Sequence, residues 1–178
     1  DFCVLLRSSN QYAPRYAENL RALGIPAWAA STGGFFSASE IATILSFLRV
    51  IDNPNQDIPL LAVLMSPVYG FTADDMARLR ADCGGETLYV SLLRAEDARC
   101  MRVREEIARY RILASTMPSD AFITMLCDET GFENIVRSMP GGEGRLANLR
   151  LLEQYAAEYE AYGYNGISGF VRFIDRLK

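Results

Sequence analysis

Histidine is absent from this chain of 178 residues, and lysine occurs once, at Lys178. The lack of histidine excludes Ser-His-Asp and Cys-His catalysis, zinc sites built on histidine, and the usual acid–base group of neutral pH. The pattern G-x-x-x-x-G-K-[ST] is also missing, so the sequence contains no complete P-loop for a nucleoside triphosphate. Any chemistry would have to use carboxylates, arginine or tyrosine.

Long apolar runs and paired cysteines are missing too. The densest apolar run, from Ile58 to Met65, is much shorter than the roughly 18 residues of a membrane span and contains Pro59, so we expect no membrane partner. The cysteines are scattered without a C-x-x-C pair, in contexts typical of buried thiols, which argues against disulfides and metal sites. They are Cys3, Cys83, Cys100 and Cys127.

The sequence does contain enough apolar material for a core. Half of its residues are apolar, which suits one domain, or one domain and a piece of another. A net charge of −4 gives no overall positive surface for nucleic acid. Six arginines cluster in one stretch, but acidic residues interleave with them, which favours a solvated helix face over a phosphate-binding stripe. The six are Arg94, Arg99, Arg102, Arg104, Arg109 and Arg111.

The first 36 residues predict a strand, a helix and a second strand. Residues 2–6 form a short continuous apolar run, as in a strand buried in a parallel sheet. A helix is predicted over 13–23 and ends at Gly24, and a second strand is predicted over 25–30. Because two strands cannot close a sheet, we expect residues 1–36 to be a remnant of a larger α/β domain.

Residues 37–178 predict a domain that is helical throughout. Ser37 and Glu40 fit a capping box, in which the hydroxyl and the carboxylate each bond a free amide at the start of a helix. That helix stops near Asp52, and glycine and proline separate the later helical segments. The expected fold class is mainly α, with a truncated α/β piece before the helical domain. The apolar face of the first helix consists of Ile41, Ile44, Leu45, Leu48 and Ile51.

The helix predicted over 143–162 carries leucines and tyrosines on one face. Such a stripe is more often a core or interface face than a platform for stacked bases. The stripe consists of Leu146, Leu149, Leu152, Tyr155, Tyr159 and Tyr162.

Several motifs, in a fixed order, resemble the accessory motifs of superfamily 1 DNA helicases of the UvrD type. They are the Arg-Ser-Ser-Asn of residues 7–10, the Gly-Gly-Phe-Phe of 33–36, the Glu-Ile of 40–41 and the helix from Leu45 to Arg49. The resemblance implies that residues 1–36 come from the second RecA-like domain, 2A. Residues 37–178 would then be the helical domain inserted into it, 2B.

Three later stretches are typical of one subgroup of that family, the A subunits of ATP-dependent helicase/nucleases (AddA or RexA). They are residues 52–60, 139–149 and 169–174. The resemblance implies a bacterial, cytoplasmic protein that processes double-strand DNA ends for recombination, with a B subunit as its partner. It also implies ATP and Mg²⁺ for the whole protein. The sequence holds neither the ATP-binding lysine motif nor the nuclease motif, so we expect no cofactor in this chain.

The first candidate DNA contact lies at residues 7–10. Arg7 follows the first predicted strand, at the edge where an open α/β sheet presents its ligand groups. The resemblance implies that Arg7, Ser8, Ser9 and Asn10 contact single-stranded DNA. The family commonly has Arg-Ser-Asn, so the extra serine leaves either Ser9 or Asn10 at the polar contact position.

The second candidate lies in residues 64–72, which resemble the Pro-x-x-Gly-Ile-Gly turn with which 2B approaches duplex DNA. Tyr69, Gly70 and Thr72 are the implied contacts. Thr72 stands where the family has its second glycine. Thr72 could instead cap the next helix together with Asp75.

The sequence therefore predicts a non-catalytic, DNA-contacting and regulatory piece of a helicase/exonuclease. That the chain begins with Asp1 and not with Met agrees with this expectation. The alternative is a protein-interaction module that docks the partner nuclease subunit through the tyrosine face of the helix at 143–162.

Overall fold

The computed structural model describes residues 3–7, 9–29 and 34–177, apart from the side chains of residues 9–11 and 14. The chain divides into two compact units, Asp1–Ala38 and Ser39–Lys178. Among the described residues, no helix is long and apolar enough to cross a membrane.

The first unit is built on one helix, α1 (Ser9–Ala22). Gly24, at a φ of 75°, ends it because the left-handed conformation lets two amides turn back onto the helix. The amide of Gly24 donates to the Arg21 carbonyl, and that of Ile25 donates to the Leu20 carbonyl. This pair of bonds is a Schellman motif, and it confirms Gly24 as the end of the helix. A short 3₁₀ helix follows at Phe35–Ser37.

Neither predicted strand is found. Of the residues predicted to form them, the structure describes 3–6 and 25–29, and these form no strand, so the prediction is wrong there. A strand needs a hydrogen-bonded neighbour, and the described residues of this unit provide none for either segment. Leu5 is 91% exposed and Trp28 is 84% exposed, so neither is buried as a strand of a parallel sheet would be. The Arg21 side chain, at 2.8 Å, holds the Ala27 carbonyl instead. The prediction of a mainly α chain is confirmed.

The second unit is a helical assembly from Ser39 onward. Its helices are separated at glycine and proline positions that the sequence indicates, except that α5 and α6 are separated by residues 95–97, which contain neither. The helices are α2 (Ser39–Asp52), α3 (Asp57–Leu64), α4 (Ala73–Cys83), α5 (Leu88–Arg94), α6 (Ala98–Ala114), α7 (Ser119–Glu129), α8 (Phe132–Ser138), α9 (Gly142–Ala161) and α10 (Ile167–Leu177).

Helix α2 is the centre of this unit. It packs against α3, α6, α9 and α10, while α7 and α8 pack on α9. Its predicted apolar face is confirmed, since all five residues of that face are buried. At about 25 cal/mol per Å² of apolar surface, this burial is the main force that holds the helices together. The largest fully buried side chains elsewhere are Phe122, Phe132 and Phe170.

The leucine and tyrosine stripe of α9 lies largely inside the unit. Its three leucines and Tyr159 are buried. The Tyr159 ring contacts those of Tyr164, Phe170 and Phe173 at centroid distances of 5.4 to 5.6 Å. Tyr162 is 81% exposed. The stripe is therefore mainly a core face, as the sequence favoured.

The predicted capping box of Ser37 and Glu40 is wrong. The amide and hydroxyl of Ser37 both donate to the Gly34 carbonyl, each at 3.1 Å. The Glu40 carboxylate is buried and accepts hydrogen bonds from Arg145 and from Asn148, the latter at 2.7 Å. Glu40 thus ties the start of α2 to α9, because a buried carboxylate needs cationic and polar partners.

Removing the cation from this buried pair should destabilise the protein. We expect Arg145→Ala to lower the free energy of unfolding by about 2 to 4 kcal/mol, because Glu40 would stay buried with fewer partners. Arg109→Ala, which breaks the more exposed pair with Glu129, should cost clearly less, because solvent screens that pair. Urea unfolding followed by circular dichroism measures the loss of unfolding free energy in each variant. Equal losses would contradict the special role of the buried Glu40–Arg145 pair.

The same pair should make stability depend on pH. Burial raises the pKa of the Glu40 carboxyl, but hydrogen bonds from Asn148, its own amide and Arg145 outweigh it and hold the pKa below the ordinary 4.5. A lowered folded-state pKa contributes stability that is complete above the unfolded pKa and is lost as pH falls through the folded value. The difference between wild type and Arg145→Ala should therefore shrink in acid.

Two glycines of α9 should respond oppositely to alanine. A Cβ at Gly142 would lie 2.3 Å from the backbone oxygen of Arg137, whereas one at Gly144 would meet nothing within 4 Å. Gly142→Ala should therefore destabilise by about 1 to 3 kcal/mol through overpacking. Gly144→Ala should stabilise by up to about 1 kcal/mol through helix propensity. Thermal and urea unfolding measure the stability of each variant. A stability change of the same sign in the two variants would contradict the close contact between Gly142 and the Arg137 backbone.

Candidate nucleic-acid interface

A tight turn at residues 66–72 joins α3 to α4. The amide of Gly70 donates to the Ser66 carbonyl at 2.7 Å, and that of Phe71 donates to the Leu64 carbonyl at 3.0 Å. Gly70 has a φ of 63°, a conformation that glycine adopts at little cost. Ser66 and Phe71 are buried and Gly70 is exposed, so the turn presents the glycine from a fixed base.

Thr72 caps α4. Its hydroxyl accepts from the Asp75 amide at 3.2 Å, and its amide donates to the Asp75 carboxylate at 2.8 Å. The bond from the Thr72 amide is the main cause that lowers the pKa of the Asp75 carboxyl. The capping alternative drawn from the sequence is confirmed.

The cap changes what this turn can offer to a phosphate. Helix N-termini and glycine turns bind phosphate through free amides. Here the amides of Gly70, Phe71 and Thr72 all donate within the protein. A DNA contact at this turn would therefore use side chains.

Helix α6 holds the turn through Arg99. Its guanidinium donates to the Tyr69 carbonyl at 3.0 Å and lies 4.1 Å from the centroid of the Phe71 ring. The same group is 3.6 Å from the Asp75 carboxylate. Arg99 thus contacts three residues of the turn and its cap with one planar group.

A second contact from α6 reaches the Tyr69 ring. The Tyr69 hydroxyl donates to Glu106 at 2.8 Å, and Arg102 donates to the other oxygen of that carboxylate, also at 2.8 Å. Burial and the bond to Glu106 raise the pKa of the Tyr69 phenol, so it stays a neutral donor. The ring centroid lies 5.9 Å from that of Phe47 in α2.

The other four arginines of the cluster point to other parts of the unit. Three donate to backbone carbonyls at the carboxyl ends of helices: Arg94 at α4, Arg104 at α5 and Arg111 at α2. Arg109 pairs with Glu129. The six guanidinium groups therefore do not form one stripe, and no local pattern in the sequence indicates which helix end each one meets.

Arg7 is exposed and lines a shallow pocket in the first unit. Leu6 and two rings of α1, Tyr12 and Tyr16, line the same pocket. Tyr12 is 47% exposed and Tyr16 is 53% exposed. Sequence reasoning missed both tyrosines, although their spacing of four residues on a helix puts them on one face. Ser8 lies outside the described residues, and Ser9 and Asn10 begin α1 with their side chains outside them.

The described residues contain no group of three or more His, Cys, Asp or Glu side chains that could hold a metal ion. Burial raises the pKa of the Cys100 thiol to about 11 and that of Cys127 to about 12. Both thiols are therefore protonated at neutral pH, and a protonated thiol is a poor nucleophile.

Loss of the α4 cap should be measurable in stability. Thr72→Ala removes the hydroxyl that accepts the Asp75 amide, and we expect a loss of about 1 kcal/mol in urea unfolding. Thr72→Ser keeps that hydroxyl and should stay within a few tenths of wild type, on the order of 0.3 kcal/mol. An alanine variant as stable as wild type would mean that the cap contributes nothing.

A family model described as the UvrD-like helicase C-terminal domain matches residues 1–107. The chain is 41% identical to the A subunit of the ATP-dependent helicase/nuclease of Thermoanaerobacter sp. (strain X514) and 37% identical to that of Acetivibrio thermocellus. Each match covers 100% of this chain and 15% of the relative, so the chain spans a small part of the length of these curated relatives. The chain belongs to the UvrD-like helicase C-terminal domain family, as its sequence motifs indicated.

Proposed function

We propose that the chain is a non-catalytic, DNA-contacting and regulatory part of an ATP-dependent DNA helicase/exonuclease subunit. The parent protein would act in the bacterial cytoplasm, in double-strand break repair and recombination. The observation that carries the proposal is the preformed turn at 66–72, which stands in a chain similar to the A subunits of helicase/nucleases over its whole length. ATP and Mg²⁺ would bind to other parts of the longer protein.

The turn is the proposed contact for duplex DNA, through Tyr69, Gly70 and Thr72. Its backbone is already fixed by internal hydrogen bonds, so DNA binding would cost little conformational entropy in the turn. Gly70 is exposed, and its lack of a side chain permits close approach. Both features suit a surface that meets a rigid duplex.

Residues 7–10 are the proposed contact for single-stranded DNA. Arg7 supplies a cation for phosphate, and the neighbouring Tyr12 and Tyr16 present half-exposed rings on which bases can stack. Ser8, Ser9 and Asn10 would add polar contacts. A cation beside aromatic rings is the combination that sequence-independent single-strand sites use.

We assign residues 1–36 to a RecA-like 2A domain and residues 37–178 to a 2B-type domain. The exposed apolar side chains Leu5, Ile25 and Trp28 support this assignment. Further strands of a 2A sheet would cover these apolar side chains.

The second candidate function is docking of a B subunit as partner. Most of the α9 stripe is used inside the unit, but Tyr162 and Tyr164 at its end are 81% and 62% exposed. Exposed tyrosines are frequent anchors of protein interfaces. This role would concern the end of α9, away from the turn in sequence.

A salt titration tests the two functions against each other. We expect the 178-residue chain to bind duplex and single-stranded oligonucleotides with affinities that fall steeply as salt rises, because phosphate contacts release counterions. The same preparation should not hydrolyse ATP. A chain that binds no DNA at low salt would favour the docking function, and ATP turnover would contradict the non-catalytic assignment.

Arg7 can be tested in the full-length enzyme. We expect Arg7→Ala to weaken single-strand affinity by about 1 to 3 kcal/mol, the scale of one lost charged contact. Arg15→Ala is the matched control. Arg15 is an exposed arginine of α1 that does not line the pocket formed by Arg7 and its neighbours. If Arg7→Ala leaves single-strand affinity unchanged, Arg7 is not part of the single-strand site. The same conclusion holds if affinity is unchanged and only ATP turnover falls.

A further inference from the structure

The turn at 66–72 lacks free amides at Gly70, Phe71 and Thr72, so a phosphate beside it would need cations from elsewhere in the fold. Four of the six clustered arginines are used at helix ends or with Glu129. Arg99 and Arg102 remain. Arg99 donates to the Tyr69 carbonyl in the turn, whereas Arg102 binds Glu106, the carboxylate that also accepts from the Tyr69 hydroxyl. The two arginines are three residues apart on α6, a spacing that places side chains on one face of a helix.

Arg99 is placed to bind a phosphate and still hold the turn. Its side chain is 50% exposed. It donates to the Tyr69 carbonyl and lies near Asp75 at 3.6 Å, so further guanidinium N–H groups stay open to solvent. The Phe71 ring beneath the guanidinium fixes its plane, which favours bidentate contact with a phosphate.

Arg102 is more exposed, at 73% of its side chain. It uses one N–H, at Nε, on Glu106. The Glu106 carboxylate also accepts from the Tyr69 hydroxyl, so its charge is shared between two donors beside the turn. The guanidinium is thereby oriented with its outer edge toward solvent.

The acidic groups near these arginines have partners of their own. Asp75 accepts from the Thr72 amide, and Asp97 accepts from the amides of Arg99 and Cys100 at the start of α6. Asp82 and Glu96 line the pocket between α4 and the start of α6, which disfavours a phosphate on that side. Arg99 lines that pocket as well, so an anion would approach Arg99 and Arg102 from the side of Tyr69.

We propose that Arg99 and Arg102 bind the phosphate backbone of duplex DNA beside the 66–72 turn, in place of backbone amides. The proposal rests on the proposed duplex contact and names the groups that carry its charge. Because phosphate contacts carry no base information, the binding is independent of DNA sequence.

The test is a salt titration with a short fluorescein-labelled blunt duplex, read by anisotropy over about 50 to 200 mM salt. Arg99→Gln and Arg102→Gln should each lower the slope of log affinity against log salt by about 1. Arg109→Gln, an arginine of the same helix whose side chain is also 50% exposed, should leave the slope unchanged. Arg99→Lys keeps the charge and should keep the slope even where affinity falls.

The possible results distinguish the arginine assignment from the duplex contact at the 66–72 turn, on which it rests. If wild type shows no salt-dependent duplex binding, the duplex contact itself is wrong. If wild type binds and both glutamine variants keep the full slope, duplex binding stands and the arginine assignment is overturned. If Arg99→Lys loses the slope as Arg99→Gln does, Arg99 acts on the turn only by shaping it, and its phosphate role is likewise overturned.

Discussion

The arginines of α6 connect helices that would otherwise end with unpaired carbonyls. A helix leaves its last carbonyl groups without partners inside the helix, and a protein must satisfy them in another way. Arg104 and Arg111 do so for α5 and α2, and Arg99 does the same for the Tyr69 carbonyl in the turn. The turn, the cap of α4 and the end of α2 are therefore positioned from one helix. The shape of the candidate DNA surface depends on this arrangement, because the Tyr69 amide bonds to Ser66 within the turn while the Tyr69 carbonyl and hydroxyl are held from α6.

Local patterns in the sequence predicted much of the helical unit. The apolar face of α2, the ends of helices at glycine and proline, and the Thr72 cap each depend on residues within a few positions of one another. The stripe on α9 was likewise predicted as a core face because its spacing matches the helix period. Such features follow from short-range geometry, and a single sequence is enough to reveal them.

What the sequence could not predict depends on distant residues. Glu40 was expected to cap its own helix, but Arg145, 105 positions away, binds the carboxylate instead. The partners of Arg104 and Arg111 lie 9 to 60 positions away, and no local pattern names them. The strands predicted in the first unit failed for a related reason, since a strand forms only beside another strand. At the candidate site, sequence identified Gly70 and Thr72, while the contribution of Arg99 and Glu106 needed the tertiary contacts.

The chain belongs to a helicase family, and its preformed turn exposes Gly70 and Thr72 on a buried base. Hydrogen exchange of the chain with and without a short DNA duplex would show whether this turn contacts DNA. If the turn contacts the duplex, amides at residues 66–72 and at the start of α6 should gain protection on binding. Protection confined to the end of α9, or no change at the turn under conditions where duplex is bound, would contradict that contact.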